Sequence, residues 1–598
     1  MENNILSTVI LRNEVTKDLA IARFFARAFA HSQDVSLRMT ILLGSLVATI
    51  MLLTLPHPTW ASDSSKTEEI LGSIPVQEGG RVKPFLSFAR EAILYLTEKP
   101  SYGIHPPVQT LWNWMAHAEE SSAKPILSVK HPELRKRFKS DLQKNHLAPV
   151  LVLNDFDFLK EVRLVQAKKG RKERLAPLER EEMTLYERAR FFDEVVHGRM
   201  PGFIPHPDNP KTGWLPLEAI RQKQGIELVS NVYSNEALLR LGNTLDRLLT
   251  LFGENDFRAT KAQAELFRDQ LGELLRSRDI VLDQAKIELE LWYWKLKPFY
   301  IAWVFYLVSA IFLSLLRRPV GVSRNDRGLG NIFFISAFLM HSLGFAMRIM
   351  ISGRPPVSNM YETVVWVPWA CVLCSLIFWL IYRAELVVAI SGWFAVLALL
   401  LAENSPVLLN PTISPLVPVL RNNYWLTVHV LTITLGYGAF ALNCGIAHAL
   451  LYHLAFRKTQ KKQIEQLAEY LFRSLQIGLI LLGTGTVLGG VWASYSWGRF
   501  WGWDPKETWA LISFMTYLAV LHGRVASWLD QVHTAFWSAL AFLTVIMAWY
   551  GVNFVLGAGL HSYGFGGGGL GFVLAAISAD VIFLLFLQRK FKIKAHHG

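Results

Sequence analysis

Residues Trp497 to Leu511 read WGRFWGWDPKETWAL, and together with Trp492 they bring five tryptophans into the eighteen positions from Trp492 to Trp509. Apolar stretches at about 472 to 491 and 509 to 523 flank the string, each approaching the ~20 residues a helix needs to cross a bilayer. The string is therefore a short link between two spans. Gly498, Gly502 and Pro505 resist a regular helix through it, so an irregular loop or short interfacial helix is predicted. Asp504 and Glu507 are placed to cap a helix that starts near Pro505. Trp497, Trp501, Trp503 and Trp509 offer wide, mostly apolar faces with one N–H each. Such faces suit a large planar ligand at a membrane surface, and they also suit an ordinary interfacial belt. Arg499 and Lys506 could meet carboxylates of a ligand held there.

Outward from this loop the chain reads as an all-α polytopic membrane protein. Of its 598 residues 52% are hydrophobic, too many for a soluble protein of this length. Further apolar runs fall at about 39–55, 298–316, 331–351, 363–382, 386–402, 424–455, 532–556 and 569–588, which makes about ten spans. Lys and Arg orient them. Arg317, Arg318, Arg324, Arg327, Arg383, Arg457, Lys458, Lys461, Lys462, Arg589, Lys590, Lys592 and Lys594 all fall on one side, which is assigned to the cytoplasm. The tryptophan-rich loop, Ser352 to Glu362, residues 403–423 and the loop holding His561 then face outward together, as one site. The net charge of +13 is largely this positive-inside signal, and anionic headgroups of the bilayer are its expected partners, not nucleic acid.

The domains follow from the spans. Residues 1–38 form a basic cytoplasmic segment and 39–55 a first span, or else a signal peptide cleaved near Ala61. Residues 56–297 form a large outer domain, 298–590 the membrane core and 591–598 a cytoplasmic tail. The outer domain is predicted to be mostly helical. Ser234 or Asn235 caps a stripe of Leu238, Leu241, Leu245, Leu248 and Leu249, and Phe267, Leu271, Leu274 and Leu275 repeat the spacing. Basic helices around 130–145 and 168–192 look solvated. Cys371 and Cys374 form C-x-x-C inside a span, where packing is favoured over redox chemistry, and Cys444 also lies in a span.

The string through Trp497, Trp501, Trp503, Asp504, Pro505, Lys506, Glu507, Thr508 and Trp509 resembles the tryptophan-rich motif of the cytochrome c assembly superfamily. SGRPPVSNMYE at Ser352 to Glu362 and GLHSYG at Gly559 to Gly564 resemble segments of its CcsA/ResC type, the membrane haem subunit of the System II cytochrome c synthase. PVQEGGRVKPF at Pro75 to Phe85 resembles a segment of CcsA-type proteins with an enlarged outer domain. There Arg81 is either a docking residue or a surface Arg beside a Gly-Gly turn.

The resemblance implies a bacterial inner-membrane protein that carries haem b to its periplasmic face and promotes thioether attachment to Cys-x-x-Cys-His of apocytochrome c, as a holocytochrome c synthase subunit. His429 lies just inside the outer end of the sixth span and His561 just beyond the outer end of the ninth. Both should sit within roughly 8 Å of the outer boundary, level with the tryptophan-rich loop. Both match the paired outer histidines of the family and are expected as axial haem ligands and catalytic positions, with Trp497, Trp501, Trp503, Asp504 and Trp509 around the haem. His522 lies about 20 Å below Trp509 along a helix and matches the family's intramembrane histidine, a third iron ligand. His341, His448 and His453 match no family ligand. Arg354 and Arg421 are candidate partners for propionates.

The first 290 residues hold one candidate span, so the ResB-like membrane half is expected as a separate partner, with apocytochrome c and periplasmic thiol reductants as others. Two readings compete with this one. One is a haem exporter or haem-chaperone loader that forms no thioether bond; the other is a solute transporter with an aromatic belt.

Overall fold

The computed structural model describes residues 63–138, 145–206, 213–221, 233–254, 256–277, 282–315, 324–416, 423–456, 461–556 and 569–596. The expected first span at 39–55, Arg421 and His561 lie outside the described residues. Among the described residues nine long helices follow the residue-297 boundary: α1 (Pro298–Leu315), α2 (Arg324–Ser352), α3 (Met360–Tyr382), α4 (Glu385–Asn404), α5 (Leu426–Phe456), α6 (Lys461–Trp497), α7 (Pro505–Val525), α8 (Gln531–Leu556) and α9 (Leu570–His596). Among the described residues eight helices are long and apolar enough to cross a membrane. The less apolar α7 packs between α6 and α8. At 21 residues it is about 30 Å long, enough to run the depth of the bundle beside them.

Several helix starts are written locally. Asn359 accepts from the Glu362 amide, Asp504 from that of Lys506 and Asp530 from that of His533, each supplying an acceptor to an otherwise orphaned N–H. α5 occupies the centre and packs on α3, α4, α6, α8 and α9. Small residues permit its close approaches, since a Cβ at Gly438 would stand 2.8 Å from the Cys371 amide nitrogen of α3. Cys371 and Cys374 are buried there and unbridged, in keeping with packing.

The preceding domain is helical around one core, in which Phe85, Phe88, Trp112, Phe203 and Phe267 are at most 1% exposed. The leucine stripe behaves as its spacing requires: the helix Asn235–Glu254 buries Leu238, Leu241, Leu245 and Leu248, and Phe257–Arg276 buries Phe267, Leu271 and Leu274 against the same core, with Leu275 also buried. The expectation of a solvated segment at 168–192 holds for 168–181, where no residue is buried, and is corrected for 182–192. The helix Pro177–Val196 buries Met183, Leu185, Ala189 and Phe192, and Arg188 is buried with them because it donates to the Ser128 carbonyl and to Glu98, at 2.7 Å each.

A small sheet was not foreseen. Strands β1 (Pro75–Glu78), β2 (Arg81–Pro84), β3 (Gly202–Ile204) and β4 (Leu215–Pro216) pair in the order β2-β1-β3-β4, all antiparallel. Gly79 and Gly80, at φ 60° and 83°, make the two-residue turn between β1 and β2, which demands positive φ at both positions.

This hairpin fastens the domain to the membrane bundle. Arg81 is not a free surface residue: its guanidinium grips Glu290, on the helix Gln284–Leu296 that leads into α1, at 2.7 and 2.8 Å. Ser87 donates to the same carboxylate at 2.5 Å and accepts from the Trp294 indole at 2.8 Å. Lys83 pairs with Glu78 and Glu91. Because Glu290 is 2% exposed, Arg81→Ala strands a buried carboxylate and should weaken docking by roughly 3 kcal/mol. Limited proteolysis of the full chain should then cut near the junction faster than in the wild type, and unchanged cleavage would show that Arg81 does not hold the domain.

A second buried network ties the domain end of the bundle. Arg348 of α2 and Arg354 both meet Glu362 of α3, at 2.7 and 3.1 Å, and the carboxylate is 1% exposed. Arg348 also donates to Tyr293 Oη and the Pro411 carbonyl, and Arg354 to the Ser414 carbonyl. Ser358 adds two donors to Glu362, each at 2.9 Å. One acidic residue thus joins α2, α3 and the segment 405–416. Arg354, expected beside a propionate, is instead committed to this network.

Candidate functional site

The link between α6 and α7 folds back on itself. α6 ends at Trp497, the next residue, Gly498, turns the chain with a φ of 68°, and Trp503 also has positive φ, at 56°. Asp504 and Glu507 form a reciprocal capping box, as the Asp-Pro-Lys-Glu spacing predicts. The Glu507 carboxylate accepts from the Gly502 and Asp504 amides at 2.8 and 3.2 Å. Arg499, expected to meet a ligand carboxylate, lies 3.4 Å from Glu507 and over the Trp497 ring. Its charge is used inside the loop.

Beneath this loop, at the domain end of the bundle, opens a cavity of about 170 Å³. α3, α5, α6, α7 and α8 all supply wall. From the sequence candidates the cavity brings together His429, Trp501, Lys506 and Glu507 in its lining. Trp503 is 70% exposed and meets Trp501 edge to face. Trp509 packs against a buried cluster built from α3, α5, α6, α7 and α8, and Asp504 is buried in its capping role.

His429 owes its position to an irregularity. The first turn of α5, Leu426–Val430, is π-helical, a form frequent at functional sites because the inserted residue re-aims the side chains around it. Its Nδ1 lies 2.8 Å from the Gly485 carbonyl of α6. A carbonyl only accepts, so Nδ1 carries the proton and Nε2 is the nitrogen that holds the lone pair. The Trp492 ring stands against the imidazole at 5.7 Å and 63°.

The opposite wall was not visible in the sequence. The last ten residues of α8, Met547–Leu556, are also π-helical and contribute Trp549, Asn553 and Phe554. Asn553 accepts from Lys506 Nζ at 3.2 Å, and the Trp549 indole donates to Thr363 at 3.0 Å. No hydropathy pattern distinguishes a π turn from an α turn, so the facing of these residues could not be read in advance. Of the segments expected to converge, the tryptophan-rich loop and Val357 to Met360 do line this cavity. The Thr412 carbonyl touches its wall through Asn359 at 3.5 Å.

The remaining histidines lie elsewhere. His522 is near the far end of α7, exposed on the bundle surface, with Nδ1 2.9 Å from the Leu518 carbonyl. His341 is fully buried between Tyr306 Oη and the Val365 carbonyl. His448 pairs with Asp580 of α9 at 2.8 Å. Among the described residues no three His, Cys, Asp or Glu side chains gather into a metal-ion cluster.

The chain is a multi-pass helical membrane protein with a tryptophan-rich loop over a cavity lined by His429, and relatives share its sequence. Residues 357–561 match the family of the Cytochrome C assembly protein, a range that takes in His429, the whole loop and His561. The cytochrome c biogenesis protein CcsA of Synechococcus sp. (strain CC9902) is 30% identical over 294 residues, 43% of this chain and 94% of that protein. CcsA of Guillardia theta is 32% identical over 269 residues, covering 39% of this chain and 87% of its own length. Protein NrfI of Wolinella succinogenes is 29% identical over 526 residues, 84% of this chain, and this chain spans 55% of its length. The chain belongs to the CcsA-type cytochrome c biogenesis family.

Proposed function

We propose that the cavity under the tryptophan-rich loop holds haem b as the substrate of cytochrome c maturation, on the periplasmic side of a bacterial inner membrane. The observation that carries this reading is His429: it lines the cavity beside Trp501, and its proton is committed to the Gly485 carbonyl. A neutral imidazole with Nε2 as its lone-pair nitrogen is the form that ligates iron. The fit of the other residues supports it. Trp492, Trp501 and Trp549 supply flat apolar wall, and Lys506 with Asn553 supplies polar groups suited to a propionate.

His561 is proposed as the second ligand, and Trp497, Trp503, Asp504 and Trp509 as residues that shape or support the loop. His522 is proposed as a separate iron ligand on the route across the membrane. Its exposure on the bundle surface suits completion of that site by a ResB-like partner. Periplasmic thiol reductants would keep the apocytochrome cysteines as thiols.

In the proposed reaction the apocytochrome histidine replaces one protein ligand, and each cysteine S–H adds across a haem vinyl group. One C–S bond forms, the proton goes to the neighbouring vinyl carbon, and no net oxidation occurs. The protein contributes position and exclusion of water.

The test is a Cys-x-x-Cys-His reporter co-expressed with this chain, with and without a ResB-like partner, in cells lacking their own maturation system. Haem that stays on the reporter after denaturation is the expected result. Haem retained by the chain, with an unlabelled reporter in both settings, would favour a haem exporter or loader.

A further inference from the structure

The face of α6 opposite His429 has a composition that haem contact does not require. Gly485, Gly489 and Trp492 are spaced i, i+4 and i+7, so they stack along one side of the helix. Each meets the same imidazole differently. The Gly485 carbonyl takes the Nδ1 proton at 2.8 Å. Trp492 closes the ring on one side. Gly489 leaves the space in which the ring lies: a Cβ there would stand 2.6 Å from Cε1, 3.1 Å from Nδ1 and 3.2 Å from Nε2 of His429. No carbon settles at 2.6 Å from a ring carbon, so a single methyl group must displace the imidazole. The ring is held by its bond to Gly485, and displacement stretches that bond. Gly485 itself is pressed against α5, where a Cβ would come within 2.8 Å of Ile433 Cα, so the carbonyl cannot follow the ring.

From this contact set we infer that Gly485, Gly489 and Trp492 form a socket that sets both the tautomer and the direction of the His429 imidazole, with Gly489 as a positioning residue for iron ligation. The inference rests on His429 being a haem ligand. Two forces act together. The backbone acceptor makes Nε2 the ligating nitrogen, as partners of metal-bound histidines commonly do. The missing side chain at 489 lets the ring lie where that acceptor can reach it. Larger residues would still permit a membrane helix at 489 but not this ring position.

The experiment compares four full-length chains purified with the ResB-like partner: wild type, Gly489→Ala, His429→Ala and the double variant. Haem retained per protein and the absorption bands of the reduced haem are recorded for each. Gly489→Ala should lose haem by roughly ten-fold, the scale of other disturbed metal-ligand supports, and show a changed coordination spectrum. The double variant should match His429→Ala, because once the ring is gone the methyl has nothing to displace.

A normal spectrum for Gly489→Ala beside a depleted His429→Ala overturns the socket and leaves haem ligation standing. A normal His429→Ala overturns the ligation reading itself, and the socket with it. If Gly489→Ala fails to accumulate, the double variant decides. Accumulation equal to that of His429→Ala confirms a clash with the ring, and failure of both shows that the methyl disrupts helix packing, which overturns the inference.

Discussion

Glu362→Ala is expected to unfold or misassemble the domain end of the membrane bundle. The wild-type carboxylate is 1% exposed and faces two guanidinium groups, Arg348 at 1% and Arg354 at 5% exposure. Removing it leaves two buried cations whose charge no other acidic group among the described contacts balances. Breaking such a pair from one side costs about 3–5 kcal/mol, a large share of the ~5–15 kcal/mol that separates folded from unfolded proteins. The damage extends beyond charge, because Ser358 loses the acceptor for both its amide and its hydroxyl. Ser358, Asn359, Met360 and Thr363 all line the cavity, so haem retention should fall with stability. Glu362→Gln keeps the shape and one acceptor and should be milder. Thermal unfolding followed by tryptophan fluorescence measures this; an alanine variant that melts within a degree or two of wild type would mean the network carries no net stability.

His429→Ala should leave the bundle folded and remove the function. The side chain's bond to the Gly485 carbonyl crosses from α5 to α6, and the imidazole itself lines a cavity from which water can take its place. Stability should therefore change far less than for Glu362→Ala. Haem retention and reporter maturation should fall at least about ten-fold, since no other residue described on the cavity wall presents an imidazole. Added imidazole should restore part of both, because the void has the size and polarity of the lost ring. Normal maturation without imidazole would remove His429 from the iron. Full loss with no rescue, accompanied by a lowered melting temperature, would recast it as a packing residue.

These two residues differ in how far the chain announces them. The His429 position was legible because a polar group near the end of a long apolar run has few reasons to be there, and because its surroundings match a family pattern. Glu362 lies in a segment whose resemblance was evident, yet its partners were not, since Arg348 and the carbonyls of Pro411 and Ser414 are fixed by three-dimensional proximity alone. The same limit explains the arginines. Arg354 and Arg499 each look like an anion-binding residue in one dimension, and each turns inward to a glutamate, Glu362 and Glu507. A guanidinium exposed to a low-dielectric surround takes the nearest carboxylate, and sequence spacing does not say which one is nearest.

Patterns with a short period dictated much of this protein: apolar runs long enough to span a bilayer, side-chain caps two or three residues ahead of the amides they satisfy, a leucine stripe at helical spacing, and a glycine pair that must turn. Each of these depends on neighbours a few positions apart, where local geometry is nearly constant. Contacts made across helices were decided only on folding. They include the π turns that aim His429 and Asn553 at one cavity, and with them goes the grip of the strand residue Arg81 on Glu290, 209 positions away. They also include the empty place at Gly489 into which the His429 ring fits. Such contacts depend on the packing of whole helices, and a one-residue slip or a single methyl group is enough to change them.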